Sequence, residues 1–140
     1  MMRLIGSAAT VALVTLASFA PAHAQTAASH TRYACPAVQD IVAKPGVTYG
    51  APAANGQHWS GEDPMAPDTI QINAGNTRFK GGRVGASKTV VMCDYEHTLA
   101  GTATQIRLAL DLKKHVATAG DQWKTTTHCE GQNPAHCAFD

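Results

Sequence analysis

The sequence predicts a mainly β (α+β) fold, a small antiparallel β-sheet domain with one short N-terminal helix and two disulfides. Three observations carry this reading. Residues Gln105 to Lys113 alternate, with Ile106, Leu108, Leu110 and Leu112 on one side and Arg107, Asp111 and Lys113 on the other, which is the period of a half-buried strand. Asn55-Gly56, between two short extended stretches, is the strongest short hairpin signal in the chain. Four cysteines, Cys35, Cys93, Cys129 and Cys137, follow an N-terminal export signal, and an even count in an oxidising compartment reads as disulfides.

The export signal spans Met1 to Ala24. Arg3 supplies its charge, Leu4 to Ala20 its apolar stretch, and Ala22-His23-Ala24 a small-x-small cleavage site. The stretch is too short to span a bilayer, which needs about 20 apolar residues, and Gly6, Ser7, Thr10, Thr15 and Ser18 dilute it. The expected organisation is a signal peptide over 1–24, a flexible leader over 25–32 and a single disulfide-stapled domain over 33–140. No membrane span is expected after cleavage at Gln25, and the expected location is periplasmic or secreted.

Within the domain, Pro36 suits a first helical position, and Val38, Ile41 and Val42 fall at i, i+3 and i+4. These predict a short helix closed by Lys44 and Pro45-Gly46. Extended stretches Val47 to Ala51 and Gln57 to Ser60 flank the Asn55-Gly56 turn as a hairpin. Glu62 to Asp68, with Pro64 and Pro67, reads as a surface loop. Ile70 and Ile72 alternate with polar neighbours and predict a strand. The glycines of Ala74 to Ser87 predict a bulge or an irregular strand. Thr89 to Glu96 then pairs with Gln105 to Lys113, with Val91, Cys93 and Tyr95 on one face and His97 to Thr104 as the hairpin loop. Gln122 to His128 reads as a last strand.

Gly131, Asn133 and Pro134 are turn formers between Cys129 and Cys137, which favours that pairing among the three that four cysteines allow and leaves Cys35 with Cys93. In the chain-entropy account the short loop contributes roughly 2.6 kcal/mol and the long one roughly 4.3 kcal/mol.

Composition excludes several classes. The 140 residues are 44% hydrophobic and only 15% charged, which points to a globular domain rather than a disordered or coiled-coil chain. The formal net charge of +1 comes without a basic run, so no nucleic-acid partner is expected.

The landmarks in order are Cys35-Pro36 with Ile41, Gly46 with Tyr49 and Ala51, Trp59 with Gly61, Phe79, Cys93-Asp94-Tyr95, Trp123, and Cys129 through Cys137 to Phe139. This pattern resembles a family of small secreted bacterial proteins known only as a domain of unknown function. The resemblance implies export and structural cysteines, and it carries over no catalytic residue.

No catalytic residue and no cofactor is expected. Asp94, Glu96 and His97 cluster near a strand end, and His58 and Ser60 flank Trp59, yet no G-x-S-x-G elbow accompanies them. Paired Glu62 and Asp63 lie in the proline-rich segment, where solvation explains them. The expectation is a non-catalytic binding or interaction module for a protein or glycan partner, with His58, Trp59 and Trp123 as candidate binding residues. Amphipathic indoles are favoured interface anchors, although they also serve as core.

The second reading is a periplasmic metal-binding protein using His and Met ligands. His128-Cys129 and His136-Cys137 repeat a His-Cys pair, so His128 and His136 are its candidate ligands, with Met65 and Met92 as soft donors. Adjacent strand residues point to opposite faces, which opposes joint His-Cys ligation, and no zinc-site spacing is present. A small secreted hydrolase is the third reading.

Overall fold

A computed structural model describes residues 31–45, 48–62 and 71–140. The expected signal segment, most of the leader, the proline-rich loop from Asp63 and Ile70 lie outside the described residues. The strands are β1 (Val42–Lys44), β2 (Thr48–Pro52), β3 (His58–Glu62), β4 (Thr77–Val84), β5 (Val90–Leu99), β6 (Thr102–Asp111), β7 (Trp123–Thr125) and β8 (His128–Glu130). They form one antiparallel sheet in the order β1-β2-β3-β6-β5-β4-β8-β7.

Period-2 alternation decides which face is buried. On β5, Val91, Cys93, Tyr95 and His97 point inward, and on β6 Ile106, Leu108 and Leu110 do so. The N-terminal segment and the C-terminal stretch cover this inner face. Tyr33 and Phe139 exchange backbone hydrogen bonds of 2.7 and 2.9 Å and stack at 5.7 Å, while Trp59 meets Phe139 edge-on at 6.0 Å. Cys35 is bonded to Cys93, and the Tyr95 hydroxyl donates to the Pro36 carbonyl at 2.6 Å, so the N-terminal segment is tied twice to the middle of β5. Cys129 and Cys137 form the second disulfide.

The sheet narrows between β3 and β6, which share the single register pair Ser60 and Ala109. Gly61 is obligatory there, since a Cβ would sit 2.0 Å from the Arg107 carbonyl oxygen.

Strand β4 holds the bulge that its glycines predict. Phe79 lies opposite Tyr95, but Gly81 lies opposite Asp94, so Lys80 is the extra residue. The inserted residue reverses the alternation. Thr77 and Phe79 face inward before the bulge, and Gly82 and Val84 face inward after it.

Five expectations are corrected. No α-helix forms among the described residues, so the class is mainly β rather than α+β. The expected N-terminal helix is a 3₁₀ turn, Val38–Asp40, followed by β1, and its Ala37 cap makes no side-chain hydrogen bond. Nine residues are fewer than the roughly 12 to 15 an isolated helix needs, and pairing of Val42, Ala43 and Lys44 with β2 satisfies the backbone instead. Val42, assigned to the apolar helix face, is 55% exposed.

Gln71 to Asn73 is not a strand. Asn76 donates to the Gln71 carbonyl and the Gly75 amide donates to Asn73 Oδ1, a side-chain turn that replaces the ladder. The expected His97 to Thr104 loop is only Ala100-Gly101, both at positive φ, and the strands run on to meet it. The expected last strand, Gln122 to His128, divides into β7 and β8, with the Thr127 amide donating to Thr125 Oγ1 in the turn between them.

Candidate binding cleft

The reversal of phase in β4 sets the charge on the outer face. Arg78, Lys80 and Arg83 all leave the sheet on the side away from the core, beside outward Asp94 and Glu96 of β5 and Arg107 of β6. Asp94 accepts from Arg83 at 2.7 Å and from Arg107 at 2.6 Å. Glu96 accepts from Arg78 and lies 3.6 Å from Lys80. Each carboxylate therefore holds two cations. The hydrogen bond from Arg78, aided by the charges of Arg78 and Lys80, keeps the Glu96 carboxyl below its ordinary value.

Alongside this array runs an open cleft of about 910 Å³, within the size range of ligand pockets. One wall is the 3₁₀ turn with Val38 and Gln39. The second is β4 with Arg78, Phe79 and Lys80, and the third is β8 with the segment Gly131 to Pro134. Both disulfides brace it. Cys35, three residues before Val38, is bonded into β5, and the Cys129–Cys137 bridge closes the loop that carries Gln132 and Asn133. Asn133 Oδ1 accepts from the Ala135 amide at 3.0 Å, which caps the 3₁₀ turn Pro134–His136 and sets that wall. Lys80 and His128 also border a smaller hollow of about 210 Å³ over Arg83, Asp94 and Gln105.

Residues 27–140 match the model of a family described as "Protein of unknown function (DUF3757)". The chain belongs to the DUF3757 family. No curated protein and no solved structure matches it.

In this DUF3757 chain the residues singled out from sequence scatter. Trp59 is core, only 2% exposed. Neighbouring His58 points outward into a shallow depression with Lys44, Ser60 and Glu62. Trp123, on the opposite edge strand, is half-buried and donates its indole N–H to the Ala138 carbonyl at 2.8 Å. The three do not share a surface.

His128 and His136 each face their own carboxylate, Glu130 at 3.2 Å and Asp121 at 3.2 Å. Among the described residues no group of three or more His, Cys, Asp or Glu side chains gathers as a metal site. Asp94 and Glu96 face outward while His97 faces inward, its Nδ1 2.8 Å from Thr77 Oγ1, so these residues form no catalytic cluster. No helix among the described residues is long and apolar enough to cross a membrane.

Sequence reading did not single out Arg78, Lys80 or Gln132, and it took Asn133 only as a turn former. A signal was present for the cations. In Arg78-Phe79-Lys80-Gly81-Gly82-Arg83-Val84 the apolar positions Phe79 and Val84 are an odd number of residues apart, so alternation must break between them, and the break carries Arg83 to the face of Arg78 and Lys80. For Gln132 and Asn133 no local signal exists, because their place opposite β4 depends on the β4–β8 pairing.

Proposed function

We propose that the protein is an exported, non-catalytic binding module, acting in the periplasm or outside the cell, and that its partner sits in the cleft beside the β4 bulge. The observation that carries this reading is the bracing of the cleft. Its walls come from three distant stretches of chain, and two of them are covalently stapled, so little ordering cost remains for a ligand. Two disulfides fit an oxidising compartment, in keeping with the export signal over residues 1–24. Trp59 and Trp123 contribute as packing groups rather than as anchors.

The test is titration of the mature protein with a panel of defined oligosaccharides and peptides, repeated with Ala74→Trp. Ala74 is exposed on the cleft rim, so the indole blocks the cleft without disturbing the core. Saturable binding that leaves the ligand intact and is lost in Ala74→Trp is expected. Conversion of the ligand, or equal binding by the blocked variant, would overturn the reading.

A further inference from the structure

We infer that the cleft is a site for an acidic oligosaccharide, a polyhydroxylated chain bearing carboxylate or sulfate groups. The inference rests on the cleft reading above and adds the class of ligand. Its first support is the height at which the charges stand. Asp94 and Glu96 lie low on the sheet, with side chains 22% and 25% exposed, while the cations they orient project above them, Arg78 at 69%, Lys80 at 48%, Arg83 at 41% and Arg107 at 46%. An approaching ligand meets the cations first.

Of these cations Arg78 and Lys80 line the cleft itself, against the one carboxylate Glu130, although the chain after residue 24 balances at 10 and 10, since Arg3 is one of the 11 Lys and Arg. The excess is therefore local to this face. His128, on the border shared by the cleft and the smaller hollow, stands 3.2 Å from Glu130 and so occupies that carboxylate.

The second support is the hydrogen-bonding chemistry of the remaining wall. Gln39 and Gln132 present primary amides, each of which donates and accepts as a sugar hydroxyl does, and Asn133, whose Oδ1 takes the Ala135 amide, adds an amide donor. An acidic peptide would call for apolar anchor pockets as well, because hot spots at peptide and protein interfaces are aromatic or Arg side chains seated in desolvated pockets. Phe79 is buried beneath the cleft against Tyr95 at 5.4 Å, which leaves Ala37, Val38 and Pro134 as small apolar lining in an open groove and no pocket for a large anchor. The preformed, cation-topped groove, with primary amides along its walls and no exposed Phe, Tyr or Trp in its lining, favours the sugar.

The experiment is calorimetric titration of the mature protein with four probes: an oligogalacturonate, a sulfated dextran oligomer, the unsulfated dextran oligomer and an oligoglutamate peptide. Wild type is compared with Lys80→Gln and Ala74→Trp, whose thermal unfolding midpoints are measured alongside. Binding of one or both acidic sugars is expected, with the responding arm telling carboxylate from sulfate. The neutral oligomer should bind more weakly. Lys80→Gln should weaken the acidic sugar by about five-fold, the scale of an exposed ion pair, and move the unfolding midpoint little, because Arg78 still holds Glu96. Raising the salt, which shortens the screening length from about 10 Å at 0.1 M to about 3 Å at 1 M, should weaken it further.

Equal binding of the neutral oligomer, lost in Ala74→Trp, would overturn the acidic class and leave the cleft reading intact. Preference for oligoglutamate would overturn the sugar in favour of a peptide. Binding indifferent to both variants would overturn the inference and the cleft together. Failure of all four probes would overturn the inference, and the wider panel with Ala74→Trp would still decide whether the cleft binds.

Discussion

Gly82 stands opposite Cys129 of β8 and, on its other side, opposite Cys93 of β5, so one glycine lies in register between the two disulfides. A Cβ at Gly82 would lie 3.3 Å from the Cys35 sulfur and 3.7 Å from Cys137 Cβ. The space a side chain would occupy is filled by the two cystines leaning toward each other. Gly82→Val should therefore overpack this point and cost about 1 to 3 kcal/mol, read as a lower denaturant midpoint at unchanged m-value. A variant as stable as wild type would mean that the cystines can spread.

Burial also shields the sulfurs. Cys35 is 4% exposed and the other three half-cystines are fully buried. A thiol reductant must reach the sulfur it attacks, so the native protein should show no free thiols and resist dithiothreitol. In denaturant both bridges should open and the intact mass rise by about four hydrogens on reduction of two disulfides. Replacing Cys35 and Cys93 by Ala should destabilise more than replacing Cys129 and Cys137, because the closed loop spans 58 residues rather than 8.

The two tryptophans should respond differently. Trp59→Ala removes a buried indole that contacts Phe139 and should cost about 3 to 5 kcal/mol, while Trp123→Phe removes one hydrogen bond to Ala138 and should cost about 1 kcal/mol. Urea titrations of both variants measure the difference. Near-equal losses would contradict the packing described.

Tyr95 is held in the core with its hydroxyl on the Pro36 carbonyl. Burial, with Asp40 and Asp94 adding to it, pushes the phenol above its ordinary value. Tyr95→Phe should leave that carbonyl without its donor and cost about 1 to 3 kcal/mol. Ultraviolet titration should show this tyrosine ionising only as the protein unfolds in alkali.

Acid should weaken the outer face. Glu96 has a folded-state value depressed below 4.5, so its contribution to stability is present above 4.5 and is lost as pH falls through the folded value. Asp111, held down by Lys113, behaves in the same way. The denaturant midpoint of wild type should fall on acidification below pH 4.5, and Glu96→Gln should flatten part of that fall while Asp111 keeps the rest. High salt should reduce the difference between the two proteins. An unchanged slope in Glu96→Gln would remove the Arg78–Glu96–Lys80 group as its source.

Wherever one face of a strand is buried, the inward and outward residues were legible, because alternation is a local record of which side meets water. Gln105 to Lys113 states its burial in four leucine or isoleucine residues, and all four are buried, three on β6 and Leu112 just past its end. The bulge in β4 was legible from the glycines of its segment. Of the candidate site only the cations of β4 left a signal, since its walls are far apart in sequence and the other two are not periodic.

Local chemistry alone thus determined the strand faces, the Asn55-Gly56 turn region, the irregularity of β4 and a chain rich in paired cysteines. Tertiary structure decided the rest. It turned the expected helix into a 3₁₀ turn and an edge strand, because the unsatisfied edge of β2 and the bond from Cys35 to Cys93 outweighed a weak helical pattern. It also withdrew Trp59 into the core and set Lys80 opposite Gln132 and Asn133. Which strands become neighbours is a non-local choice, made by closing one apolar face over Phe139 and the cystines, and no window of sequence contains it.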